Sequence, residues 1–199
     1  MTSLSPKRER TREELVEAAR RMIGRKGLLA TTINDIAAEA GRAAATLYLY
    51  FPSKLDLAYE LARQFDSEAA HPAPNAEAHD RDGREEIRDA VEQFWRTFAE
   101  QRPVAVGAYQ LTMVEPAFAE EWTEIRRAVT RRFTRAIRRL QQRGEAAKYD
   151  PVRVASAISG MLWHAAIVVQ YCGQPFGDGS PVDTLAEVWH RAVTRMPAS

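Results

Sequence analysis

The chain has 199 residues, room for one ordinary domain or for a small domain joined to a larger one. Hydrophobic residues make up 45% and charged residues 28%, which excludes a disordered tail or a fibre and leaves enough apolar surface for a core. Lys/Arg and Asp/Glu nearly cancel, 28 against 27, so the chain is no histone-like polycation. The balance is uneven, however: residues 1–55 carry 10 basic and 6 acidic side chains, residues 56–199 carry 18 and 21. A surface for nucleic acid is therefore expected at the N-terminal end.

A single cysteine, Cys172, excludes an intrachain disulfide framework, and with four scattered histidines it excludes zinc-finger spacing. A reducing, cytoplasmic setting is expected, since the charged N-terminus lacks the apolar core of a signal peptide. The uncharged stretch 154–177 is long enough to cross a membrane. It contains Ser156, Ser159, His164, Gln170, Gly173, Gln174 and Pro175, so a buried interface helix is the preferred reading and no membrane partner is expected.

No segment recurs at a fixed period, and the apolar residues fall at helical spacing between Gly and Pro breaks, so the chain reads as all-α. A first helix spans about 6–26, with Leu15, Ala18, Ala19, Met22 and Ile23 on one stripe and Gly27 as its stop. Thr32 and Asp35 form a capping box that opens a second helix of about eight residues, ended by Gly41. A third, about 43–50, stops at Phe51-Pro52-Ser53, and a fourth opens at Lys54 with Leu57, Ala58, Leu61, Ala62 and Phe65 inward. The segment 71–83 reads as a loop between two halves.

Beyond that loop the helices lengthen. Ile87, Val91, Phe94, Trp95 and Phe98 form one stripe; 103–114 is a short apolar helix; Trp122, Ile125, Val129, Phe133, Ile137 and Leu140 mark one long helix. The opposite face of that helix carries Arg127, Arg131, Arg135, Arg138 and Arg139, which could meet nucleic acid; the solvated-face reading is favoured because Glu120, Glu121 and Glu124 precede them. A helix over about 151–172 and a last one over about 182–195, with Leu185, Val188, Trp189 and Ala192, complete nine.

Two short helices joined by a turn at Gly41 and braced by a longer one make a helix-turn-helix, over about 32–51. The second helix of such a pair fits the major groove of B-DNA and the first spans the backbone. Thr46, Tyr48, Tyr50 and Lys54 fall on or just after that helix, where hydroxyls and an ammonium can reach phosphate oxygens. Packing is an equal alternative for the ring of Tyr48.

The run Thr11-Arg12, Leu15, Ala18-Ala19, Gly27, Thr31-Thr32-Ile33, Ile36-Ala37, Ala40-Gly41, Thr46-Leu47-Tyr48, Tyr50-Phe51, Ser53-Lys54 and Leu57 resembles the DNA-binding domain of tetracycline-repressor (TetR) type regulators, without a gap over about 9–60. The resemblance implies an all-helical homodimer of about nine helices per subunit. It implies an operator-binding domain over 9–70 and a ligand-binding and dimerisation domain over 82–196. After Gly41 the family shows a small apolar residue, a serine, one variable residue and often a glycine, where this chain has Arg42, Ala43, Ala44 and Ala45. Ala43 lacks the capping hydroxyl, a loss of about 0.5–2 kcal/mol. Ala44 and Ala45 fall where the family places base-reading side chains, and each offers only a methyl group to a thymine methyl. Direct readout is assigned to Thr46, Asn34 and Arg42, with Thr32 and Lys54 beside them.

The C-terminal half is rich in large apolar side chains. A ligand cavity of roughly 300–1,000 Å³ lined by Phe94, Phe98, Tyr109, Met113, Trp122 and Trp163, with His164 as a polar group, competes with plain helical core at each position. The homodimer is expected through the helices at about 151–172 and 182–195, where Ala155, Ser159, Gly160 and Ala166 permit close approach and Leu185, Val188 and Trp189 add apolar area. No phosphate loop, nucleophile elbow or zinc-protease motif is present, and no cofactor is expected. His71, Glu77, His79 and Asp80 read as solvated side chains in preference to a metal site, and Cys172 as an inert, partly buried thiol.

The expected function is a ligand-responsive repressor that binds a near-palindromic double-stranded operator and leaves it when a small apolar effector binds. The alternatives are a constitutive DNA-binding protein without effector, and a helical enzyme, for which the sequence offers no nucleophile-base pair.

Overall fold

A computed structural model describes residues 5–71 and 82–194. These residues form ten α-helices and no strand: α1 Pro6–Lys26, α2 Ile33–Glu39, α3 Ala44–Tyr48, α4 Lys54–Ala69, α5 Gly83–Glu100, α6 Arg102–Val114, α7 Pro116–Ile125, α8 Arg127–Gln142, α9 Pro151–Ala166 and α10 Pro181–Thr194. A π-helical turn, Ile167–Tyr171, prolongs α9. The chain divides into two units, one within 1–64 and 103–125, the other within 65–102 and 126–199.

The all-helical class is as expected. The tenth helix comes from a break at Arg126 in what the apolar stripe suggested was one long helix. Its cause is distant in sequence: the buried Asp66 carboxylate accepts hydrogen bonds from the amides of Ala128 (2.8 Å) and Val129 (3.4 Å), capping a new helix start at α8. The third helix is also shorter than expected. Leu49 and Tyr50 close it with three-residue bonds to Thr46 and Leu47, because Pro52 forces Phe51 out of the helical region.

In the first unit, the stripe Leu15, Ala18, Ala19, Met22 and Ile23 of α1 packs with Ile33 and Ile36 of α2, Leu47 of α3 and Leu57, Ala58 and Leu61 of α4. Val104, Ala108 and Leu111 of α6 and Phe118 and Ile125 of α7 belong to the same core, and Tyr59 stacks on Phe118 at 4.9 Å. Gly107 of α6 is required there, since a Cβ would stand 2.4 Å from that of Leu28. Trp122 packs against this core as well, tilted on Phe118 at 5.9 Å.

In the second unit, α5 packs against α8, α9 and α10. Phe65, Phe94, Phe98 and Trp163 form a buried ring cluster with centroids 5.5–6.3 Å apart. Trp189 of α10 meets Phe133 of α8 at 4.7 Å. Asp150 caps α9 through the amides of Val152 and Arg153, with Pro151 in the first turn. The segment 151–171 has the length and apolar composition of a membrane-crossing helix, but Ala155, Ile158, Ser159, Leu162, Trp163, Ala165 and Ala166 are buried in this unit, as in a core helix.

That burial corrects the expected dimer surface. Ala155, Ser159, Ala166, Leu185 and Trp189 all face the chain's own core. Small and apolar residues occur on both faces of α9, with Val152, Ala157 and Gly160 outward, so the pattern alone does not place Ala155 and Ala166. The outward residues of α9 are Val152, Arg153, Ser156, Ala157, Gly160 and His164, with Val188 on α10.

Candidate nucleic-acid interface

Local sequence builds the helix-turn-helix as expected. The Thr32 hydroxyl accepts from the Asp35 amide (3.1 Å) while the Asp35 carboxylate accepts from the Thr32 amide (2.9 Å), the reciprocal box that opens α2. Hydrogen bonds from Lys26 and from Thr32 hold the Asp35 carboxyl down at about 2. At the turn, Gly41 adopts φ +62°, which a side chain rarely tolerates. Ala43 starts α3 without a side-chain cap.

Leu47 is fully buried and fixes the orientation of α3. At 100° per residue, Ala45 and Leu49 each lie 200° from it, and Thr46 and Tyr48 lie 100° to either side. The outward face is thus Ala45 and Leu49, flanked by a half-buried Thr46 and a Tyr48 that is 52% exposed. Ala44 is partly buried and packs against the core. Leu49 is 75% exposed and was not singled out from the sequence, because a leucine in a helical pattern reads as core.

Asn34 of α2 and the capping Thr32 before it are exposed. Arg42, expected to read bases, is paired with Glu14 of α1 at 2.8 Å. The pair is exposed and screened by solvent, so a phosphate or a base can replace Glu14. Tyr50 is half-buried with the Arg8 guanidinium over its ring at 5.9 Å, which brings the start of α1 beside the end of α3. Arg8 is a cation that the motif residues did not flag.

Much of the N-terminal basic excess is neutralised within the unit. Arg21 and Arg25 share Glu39, Lys26 pairs with Asp35, and Arg12 pairs with Glu60, all at 2.7–2.8 Å.

The expected role of Lys54 changes too. Its ammonium donates to the carbonyls of Leu29 (2.8 Å) and Thr31 (2.9 Å), so two of its three donors tie α4 to the turn before α2. Burial lowers its pKa, with Glu115 acting weakly in the other direction. Lys54→Ala is therefore expected to destabilise the DNA-free protein by about 1–3 kcal/mol, from two lost charge-assisted bonds. Thermal unfolding without DNA checks this; an unchanged midpoint would return Lys54 to a purely phosphate-facing role.

Of the expected ligand residues, Phe94, Phe98 and Trp163 are buried together in the second unit. Tyr109, Met113 and Trp122 belong to the first unit, with Met113 68% exposed. His164 is exposed on α9. The Arg126 guanidinium lies 4.7 Å over the Trp163 ring and donates to the Ser159 hydroxyl at 2.6 Å. Cys172 is exposed, contrary to the expected partial burial, because the chain beyond the π turn lies on the surface. Glu77, His79 and Asp80 lie outside the described residues; among those described, no cluster of metal-ligating side chains occurs.

Residues 15–61 match the family of bacterial regulatory proteins, tetR family, and residues 80–166 match the tetracyclin repressor-like C-terminal domain. The HTH-type transcriptional regulator BetI of Agrobacterium fabrum is 34% identical over 110 residues, covering 55% of this chain and 53% of BetI. The HTH-type transcriptional repressor KstR2 of Mycobacterium tuberculosis is 46% identical over 54 residues, 27% of each chain. The chain thus matches about half of the first relative's length and about a quarter of the second's. Among solved structures, Salmonella enterica GusR superposes with a TM-score of 0.76 at 18% identity, covering 94% of this chain and 96% of its own. The fatty acid degradation regulator FadR from Bacillus halodurans gives 0.72 at 18% identity, covering 97% of each. At these identities the superpositions speak for the fold.

Proposed function

We propose that this chain, which belongs to the tetR family of bacterial regulatory proteins, is a transcriptional repressor that binds a near-palindromic operator as a homodimer and leaves it when a small, largely apolar effector binds. The observation that carries the DNA-binding part is the α3 face opposite Leu47, solvent-facing and beside the Arg8 guanidinium at the start of α1. A two-fold dimer presents two such helices about 34–36 Å apart, one helical turn of B-DNA.

The test is selection from a random duplex pool followed by salt titration of the preferred site. Arg8→Ala should keep the preferred sequence but reduce the slope of log affinity against log salt by about one, since a phosphate contact carries no base information. Failure to enrich any sequence would refute operator recognition.

For the dimer, the outward stripe Val152, Ser156, Gly160 and His164 recurs every fourth residue of α9, and Val188 is outward on α10. Two copies of such faces make a four-helix contact that covers apolar surface a monomer leaves wet. A Cβ at Gly160 meets nothing within 4 Å, so Gly160→Arg fits the folded chain and blocks only the partner. Sedimentation should show a dimer for the wild type and a monomer for the variant. A wild-type monomer at micromolar concentration would refute the contact.

The effector is assigned to the ring cluster of Phe65, Phe94, Phe98 and Trp163, whose rings must part to admit it. Phe65 stands on α4, which begins at Lys54 in the DNA-binding unit, so a ligand that displaces Phe65 acts on a helix shared with that unit. Coupling of this kind is typically about 1–3 kcal/mol and reciprocal, so operator DNA should weaken effector binding by the same factor. The constitutive alternative predicts no thermal stabilisation by any of a library of apolar compounds.

A further inference from the structure

We infer that the operator half-site presents thymine 5-methyl groups to an apolar patch formed by Ala45 and Leu49, and that Leu49 determines sequence preference through that contact. The inference rests on the DNA-binding reading and specifies what α3 reads. Both side chains lie 200° from the buried Leu47, hence within 40° of each other at the centre of the outward face. Leu49 keeps helical dihedrals, φ −68° and ψ −21°, so it continues the helical track although α3 ends at Tyr48. It is more exposed than any other large hydrophobic side chain described, and no described residue covers it.

What covers it follows from what the major groove offers. Every base edge there presents hydrogen-bond donors and acceptors, and the thymine methyl is the apolar group among them. A face centred on Ala45 and Leu49 gains nothing from guanine or adenine edges and would leave their polar atoms unpaired. The hydroxyls of Thr46 and Tyr48 flank the patch, and the ring of Tyr50 with Arg8 above it lies at its C-terminal side, so the patch is continuous with groups suited to backbone phosphate. Burying one methyl is worth about a fourfold gain in affinity, or about fifteenfold when both half-sites are counted.

The experiment uses the full-length protein and its selected operator, with each thymine in turn replaced symmetrically by deoxyuridine, which removes only the methyl. The expected result is a loss of about fifteenfold at one or two positions per half-site and little change elsewhere. Leu49→Ala should lose a comparable factor on the thymine operator and be insensitive to deoxyuridine at the same position. Because Leu49 is exposed, its variant should melt like the wild type. Uniform indifference to deoxyuridine would overturn the inference, as would a methyl effect that persists undiminished in Leu49→Ala. Cytosine at that position should bind weakly and 5-methylcytosine should recover part of the loss; equal binding of both would also overturn it. If no duplex sequence is preferred at all, the DNA-binding reading itself fails, which is a separate outcome.

Discussion

Trp189→Ala is expected to destabilise the protein by about 3–5 kcal/mol, enough to remove much of the stability of an ordinary domain. Trp189 is completely buried, and its indole meets the Phe133 ring at 4.7 Å and 61°, which joins α10 to α8. α10 is also tied to α5 by Arg84 with Glu187 at 2.6 Å and Arg88 with Asp183 at 2.8 Å. Those pairs are exposed and screened by solvent, which leaves them little net worth, so burial of the indole decides whether α10 stays docked. Trp189→Phe keeps most of the apolar area and should cost much less. Urea unfolding followed by circular dichroism reads both variants, and a loss below about 1 kcal/mol for Trp189→Ala would mean that α10 is held elsewhere. Since α10 carries Val188, the variant should also weaken the proposed dimer contact.

What was legible in the sequence was what is local. The Thr32–Asp35 box spans three residues, Gly27 and Gly41 end helices by their own conformational freedom, and Asp150-Pro151 opens α9 by itself. What was hidden depends on residues far apart in the chain. The break at Arg126 is made by Asp66, sixty positions earlier, and no apolar period signals it. Lys54 looked like a phosphate contact because carbonyl partners leave no mark in a sequence. Small residues stand on both faces of α9, so the pattern could not say that Ala155 and Ala166 point inward and Gly160 outward. Leu49 carries no polar group that a sequence pattern would flag, and only the burial of Leu47 beside it fixes which way it points.

Asp66 supplies a pH dependence whose sign can be worked out. Burial pushes its carboxyl up from the ordinary 3.8 to about 6, opposed by the amides of Ala128 and Val129 and by the charges of Arg126 and Arg131. A folded pKa above the unfolded one means that the protonated form is favoured by folding. Its contribution to stability is fully present below about pH 4 and is lost as the pH rises through 6. The difference of about two units corresponds to about 3 kcal/mol at pH 7. Asp66→Asn keeps a carbonyl oxygen to cap α8 but cannot ionise. Near pH 4 the two proteins should be about equally stable, and by pH 7 the variant should lead by about 3 kcal/mol. Glu14, Asp35, Glu39 and Glu187, whose ion pairs and hydrogen bonds hold their carboxyls low, act in the other direction, but they are common to both proteins and cancel in the difference. Chemical denaturation at half-unit steps from pH 4 to 7.5 would measure it. A gap that stayed constant across that range would show that the two amides and nearby arginines hold the carboxylate ionised despite its burial, with the cap at α8 then a net stabilising charge.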